Sequence, residues 1–233
     1  LSLSQPCTQA LTIIATSADA NACLTPSPLI PILTNSNTSI VEPINNWLTS
    51  LCAAPACSNN TLAAIVANVT TGCSAELTLA GFQSGDTSAV TALIQKYYPT
   101  ARNVVCLKDG NTNCVTQMLT NVQNIAGPLT VQNILALISE NGMDVPSNVT
   151  CTNCIKAAYN IVNAEVPGFL GSNSDVQEQC GASFTDGATP SGITQSASDQ
   201  AAGSTKNSGA FTFGAFTGAT ALVAISSAFA LVA

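Results

Sequence analysis

The sequence predicts an all-α fold: a disulfide-stapled helical bundle, built as one unit or as two related helical units, then a disordered stalk and a C-terminal hydrophobic tail. Three observations carry that prediction. Apolar residues recur at helical spacing over most of the chain up to Cys180, whereas alternating period-two runs are scarce. Ten cysteines, an even number, all lie at or before Cys180, as in a disulfide framework that persists in an oxidising compartment. From Ser183 the composition shifts to Ser, Thr, Gly and Ala without apolar periodicity, and no charged residue follows Lys206.

The helices follow in order. Ile40, Ile44, Trp47, Leu48 and Leu51 share one helical face, and Leu62, Ile65, Val66 and Val69 form a second such stripe. Val90, Leu93, Ile94 and Tyr97 form a third, which Pro99 is expected to end because a proline nitrogen carries no hydrogen to donate. Val115, Met118, Leu119, Val122 and Ile125 predict another helix. Val131, Ile134, Leu135 and Ile138 predict one capped by Gly142. A last helix is expected from about Cys151 through Ile155, Ala158 and Val162. Asn, Thr and Val are frequent in these stripes and are weaker helix formers than Ala or Leu, so short helices pinned by bridges are expected. Trp47, on an apolar face, is expected in the core, as is one end of the Tyr97-Tyr98 pair.

Residues 183–209 are read as a Ser/Thr/Gly-rich, O-glycosylated stalk and residues 210–233 as the tail. Small residues (Asn207, Ser208, Gly209, Ala210) precede an uncharged apolar stretch, the pattern of a glycosylphosphatidylinositol (GPI) attachment signal, with Asn207 taken as the lipidated residue and Ser208 and Gly203 as the alternatives. The rival reading is a single spanning helix over Phe213 to Ala233, which lacks a flanking Lys or Arg on the far side. The chain opens without a start Met or an apolar leader, which fits a signal peptide already removed. Asn37, Asn59, Asn68 and Asn148 begin Asn-x-Ser/Thr triplets, acceptors for N-glycosylation. Together these place the expected protein on the extracellular face of the plasma membrane or in the cell wall, held to the membrane by the lipid. With five Lys plus Arg against twelve Asp plus Glu, no basic cluster is available for nucleic acid or anionic headgroups.

The most specific pattern is Leu51-Cys52-Ala53-Ala54-Pro55-Ala56-Cys57, followed by a helical stripe and Cys73. With Cys7 and Cys23 before it and Cys106 after it, this resembles the six-cysteine pattern of elicitins, small secreted helical proteins that carry sterols and other lipids in an apolar cavity. The resemblance runs from Cys7 to Cys106 and is strongest from Leu51 to Leu77, with a shorter gap between Cys7 and Cys23 and a longer one between Cys73 and Cys106. The whole chain is also similar to lipid-anchored, cysteine-rich fungal surface proteins of unassigned function, and a place in the fungal cell wall is the expectation that goes with it. The elicitin resemblance implies bridges Cys7–Cys73, Cys23–Cys57 and Cys52–Cys106. The remaining cysteines are then assigned as Cys114–Cys154 and Cys151–Cys180, so that an elicitin-like unit at 1–106 precedes a second helical unit at 107–182. The alternative is a duplication, which keeps Cys7–Cys73, Cys23–Cys57 and Cys114–Cys154 but pairs Cys106 with Cys180 and Cys52 with Cys151. In either scheme a bridge closing a loop of some 65 residues stabilises the fold by roughly 4 kcal/mol in the chain-entropy model.

Catalytic equipment is sparse. The chain has no histidine, which excludes Ser-His-Asp and Cys-His arrangements and imidazole metal sites. The acids are scattered and no Gly-rich phosphate loop is present, so no catalytic residue, cofactor or metal is expected. Cys151-Thr152-Asn153-Cys154 is read as two structural half-cystines rather than a redox or zinc pair, since no βαβ context surrounds it. The leading expectation is binding of a sterol or fatty-acyl lipid by desolvation among Leu62, Ile65, Val66, Val69, Val90, Leu93 and Ile94. The competing expectation is a non-catalytic structural or adhesive wall glycoprotein with a solid core, associated with cell-wall glycan.

Overall fold

The computed structural model describes residues 3–35, 37–79, 87–134 and 146–198. It is a disulfide-stapled helical bundle. The first half contains α1 (Gln5–Thr16), α2 (Ala18–Cys23), a 3-10 turn (Ser27–Leu29), α3 (Ile30–Thr34), α4 (Val41–Ala53), α5 (Asn59–Gly72), α6 (Ser74–Leu79) and α7 (Thr87–Val105). The second half contains β1 (Leu107–Asp109), β2 (Thr112–Asn113), α8 (Cys114–Ala126), α9 (Ser147–Thr150), α10 (Asn153–Glu165) and α11 (Asn173–Cys180). A 3-10 turn (Ala182–Thr185) and β3 (Ile193–Gln195) follow.

Short polar side chains begin these helices. Ser4, Ser17, Ser58, Asn113 and Thr152 each accept a backbone N–H from the first turn of α1, α2, α5, α8 and α10, respectively. Such a cap is worth about 1 kcal/mol, because it satisfies a donor that has no partner inside the helix. Asn113 also donates from Nδ2 to Val105 O (2.7 Å), tying the start of α8 to the end of α7.

All ten cysteines are paired: Cys7–Cys73, Cys23–Cys57, Cys52–Cys106, Cys114–Cys154 and Cys151–Cys180. The Cys106–Cys180 and Cys52–Cys151 bridges of the duplication scheme are not formed. Cys106 instead follows the end of α7 against the C-terminal turn of α4, where Cys52 lies, and Cys180 ends α11 beside Cys151.

The expectation that Pro99 stops its helix is overturned, since α7 runs on to Val105 with Pro99 inside it. An interior proline forfeits one hydrogen bond and costs about 3 kcal/mol. Pro99 is exposed, and buried anchors on both sides offset that loss: Tyr98 before it, and Thr100, Arg102, Val104 and Val105 after it. The Tyr98 hydroxyl accepts from Cys57 N–H (3.1 Å), and Thr100 Oγ1 donates to Glu165 Oε2 (2.5 Å).

Among the described residues the buried apolar side chains form three clusters. The largest gathers Trp47, Leu48, Leu51, Leu62, Tyr98 and Val105 around the Cys23–Cys57 and Cys52–Cys106 bridges. Trp47 is in the core as expected, its Nε1–H donating to Leu24 O (2.7 Å). The second joins Val104 to Tyr159, Val162, Leu170 and Phe184, and the third joins Leu107, Cys114, Cys154, Ala157 and Ile193. Val104 and Val105 thus send neighbouring side chains of one helix into different clusters, and α7 serves both halves of the chain.

A small antiparallel sheet, ordered β2-β1-β3, is the part that periodicity did not foretell. Its strands are two or three residues long, too short to register as alternation. β3 pairs Leu107 with Gln195 and Asp109 with Ile193, and it lies in the stretch whose composition read as the start of the stalk. Residues 183–198 are folded: Phe184 and Ile193 are buried, Ser196 N–H donates to Cys106 O (3.0 Å) and Ser198 N–H to Cys52 O (2.8 Å). Isolated apolar side chains, main-chain pairing and side-chain bonds such as Lys156 Nζ to Asp186 Oδ2 (2.9 Å) hold this segment, none of which composition records. Leu135, Ile138, Gly142, Asn207 and the tail 210–233 lie outside the described residues.

Candidate functional site

α1 and α5 run antiparallel, with Cys7 near the start of α1 bridged to Cys73 at the end of α5. At one end the Cys7–Cys73 bridge brings the Cα atoms to 4.2 Å. There Gly72 lets α5 approach so closely that a Cβ at that position would overlap Ala10 Cβ and lie 3.0 Å from Pro6 O. Toward the start of α5, a cleft of about 370 Å3 opens between α1, α2 and α5. Its apolar side is Ile13, Ile14, Ala20, Ala64 and Ile65, and its polar side is Ser17, Asp19, Ser58, Asn60, Thr61 and Asn68.

The polar groups are largely engaged by their own backbone. Ser17 Oγ accepts from Ala20 N–H (3.4 Å) and Ser58 Oγ from Thr61 N–H (3.1 Å). Asn68 Nδ2 donates to Ala64 O (2.8 Å), one turn back along α5. Asp19 is the single charged residue of the lining. The cleft therefore offers apolar contact and amide or hydroxyl hydrogen bonding, without a paired acid and base.

The residues expected to line a lipid cavity are distributed differently. Leu62 is 3% exposed, inside the main core against α4 and α7, and Val66 is also buried. Val69, Val90, Leu93 and Ile94 are half-buried. Of the seven, Ile65 lines the cleft and the other six do not. The reason is rotational: the stripe that includes Leu62 and Val66 seats α5 in the bundle, while the cleft lies along its α1-facing side. Sequence reading missed Ile13 and Ile14. The pairing of Cys7 with Cys73 was the available signal, because it lays α1 along α5.

Arg102 was also missed. It is 5% exposed and stands where α4 ends. Its Nη1 donates to Leu51 O (2.9 Å), and its Nη2 donates to Ala54 O (2.5 Å) and Cys52 O (3.5 Å). The Leu51 carbonyl would ordinarily accept from the residue four on, but that is Pro55, which has no N–H. The guanidinium replaces it, and the negative end of the α4 dipole favours a cation there. This is an architectural use of charge.

Both sulfurs of Cys151-Thr152-Asn153-Cys154 are in disulfides with other partners, so the pair is no dithiol. Among the described residues no group of three or more His, Cys, Asp or Glu side chains is placed to hold a metal ion. Asp186 accepts from Lys156 Nζ (2.9 Å), and this hydrogen bond, aided by one from Ala188 N–H, holds its carboxyl below the usual range. Glu76 is likewise held low, chiefly by the Ser4 N–H bonded to its Oε1 (2.6 Å). Each joins distant parts of the chain.

Asn37, Asn59 and Asn148 are exposed and Asn68 is half-buried at the cleft. The five disulfides mark an extracellular or secreted protein. Among the described residues no helix is long and apolar enough to cross a membrane. In comparisons with protein-family models, curated proteins and solved structures, none matches the chain.

Proposed function

We propose that the protein is a non-catalytic, N-glycosylated surface protein, tethered outside the cell by a GPI anchor at Asn207 and serving a structural or adhesive role in the wall. The observation that carries this reading is the packing of Leu62 with Trp47, Leu48, Leu51 and Tyr98, where a lipid carrier would keep such side chains around a void. A closed core cross-linked at five points resists unfolding outside the cell, and sugars on exposed Asn37, Asn59 and Asn148 would supply the polar surface that so few charges cannot. Association with wall glycan follows as the partner class. The uncharged run after Lys206 supports the anchor.

A second reading, carriage of a sterol or fatty-acyl lipid, draws on one observation: Ile13, Ile14 and Ile65 give the cleft an apolar side. Native mass spectrometry of the secreted protein after deglycosylation, followed by lipid extraction, separates the two. The wall-protein reading expects the mass of the bare chain, unchanged after incubation with sterols and fatty acids. A sterol or fatty acid released in stoichiometric amount overturns it in favour of the carrier.

A further inference from the structure

Asn68 is unlike the other sequon asparagines in that it borders the cleft. Its side chain points back toward the start of α5, as helical side chains do, and Nδ2 lies against Ala64 O at 2.8 Å. Asn68, Ala64, Thr61 and Asn60 all line the cleft, and the distance from Asn68 to Thr61 along the axis is about 10 Å at 1.5 Å per residue. A substituent on Nδ2 therefore starts at the lining of the cleft, beside Ala64.

We propose that the cleft between α1, α2 and α5 is the seat of the first sugars of an N-glycan on Asn68, so that its occupant is covalently part of the protein. The proposal rests on the reading of the chain as N-glycosylated. Transfer from a polyprenyl-pyrophosphate oligosaccharide breaks the bond between C1 of N-acetylglucosamine and the pyrophosphate oxygen and forms the C1–Nδ2 bond. Nδ2 loses one proton in that step, and the pyrophosphate leaves with the electron pair of the broken bond. The remaining Nδ2 hydrogen suffices for the bond to Ala64 O, so the direction of the side chain is preserved.

The lining suits this occupant. A cleft of about 370 Å3 is at the small end of the ~300–1,000 Å3 range of ligand sites. The apolar face of an N-acetylhexosamine, with its acetyl methyl, lies against Ile14 and Ile65, while Asn60 and Thr61 meet its hydroxyls. Ile13, which is 54% exposed in the bare polypeptide, is covered. A neutral sugar also fits a lining with a single charged residue.

The test uses the full chain secreted from a glycosylating eukaryotic host. Glycopeptide mass spectrometry reads occupancy at each sequon, and hydroxyl-radical footprinting reads Ile13, with exposed Ile30 and Ile125 as references away from the cleft. Asn68→Gln removes the acceptor, and Thr70→Ala removes the sequon while keeping Asn68, guarding against a folding defect in either variant. The expected result is an occupied Asn68 and several-fold greater labelling of Ile13 in both variants, with Ile30 and Ile125 unchanged. Trimming the native glycan to a single N-acetylglucosamine leaves Ile13 protected. Equal labelling of Ile13 in all forms with Asn68 occupied overturns the docking, as does a bare Asn68 on a protein glycosylated elsewhere. A protein bare at Asn37, Asn59, Asn68 and Asn148 together overturns the glycosylated reading as well.

Discussion

Replacing Arg102 with alanine should be among the more damaging single changes in this chain. The guanidinium reaches three carbonyls at the end of α4: Leu51 O, Cys52 O and Ala54 O. Cys52 O keeps a partner in the variant, because Ser198 N–H donates to it at 2.8 Å. Leu51 O and Ala54 O lose theirs, and the residue four beyond Leu51 is Pro55, so the helix cannot supply a substitute. A buried carbonyl left unmatched costs about 1–3 kcal/mol, so the buried Leu51 O and the half-buried Ala54 O together give at most roughly 2–6 kcal/mol, with the void left by the aliphatic stem adding to it. Water entering that void would lower the figure, so about 3–4 kcal/mol is expected. Chemical denaturation of the protein with its disulfides intact, followed by circular dichroism, measures this directly. At about 2–4 °C per kcal/mol for a chain of this size, Tm should fall by roughly 6–16 °C. Arg102→Lys keeps the charge at the α4 terminus but not the fork of donors, and should recover part of the loss. An Arg102→Ala protein within about 1 kcal/mol of the parent would refute the reasoning, since it would mean that neither carbonyl depends on the guanidinium.

Other consequences are equally direct. Gly72→Ala places a methyl group into Ala10 and Pro6, and should cost about 1–3 kcal/mol by thermal unfolding, as overpacking does. Phe184→Ala should cost about 3–5 kcal/mol, whereas the same change in an unfolded stalk would leave Tm untouched. Glu76 has a folded-state pKa below its ordinary value of 4.5, so its contribution is complete above that value and is lost as pH falls through the lowered one. An NMR titration should show the Glu76 carboxyl and the Ser4 amide moving together below pH 4.5, and Glu76→Gln should abolish the step at Ser4.

The helical stripes were legible because burial on one face writes a local period, as in α4 and α5. Pro99 misled because a propensity acts on one residue, while Tyr98, Arg102 and Val105 act together on the whole helix. β3 escaped because three residues cannot display a period, and its partner β1 lies more than eighty positions earlier. The cleft was misplaced for a related reason. Periodicity reports that α5 has an apolar face, but which part of that face turns to the main core and which is left beside α1 depends on how four helices pack.

By itself, then, the order of residues determined the class of fold, the helices α4, α5, α8 and α10 with the first part of α7, and the oxidising compartment, since each follows from composition or from contacts a few residues apart. Only the tertiary structure decided between the rival bridge schemes, ran α7 through its proline, set Arg102 under α4 and opened the cleft beside Asn68. Those outcomes rest on groups dozens of residues apart in the chain, whose distances are fixed only when the bundle closes.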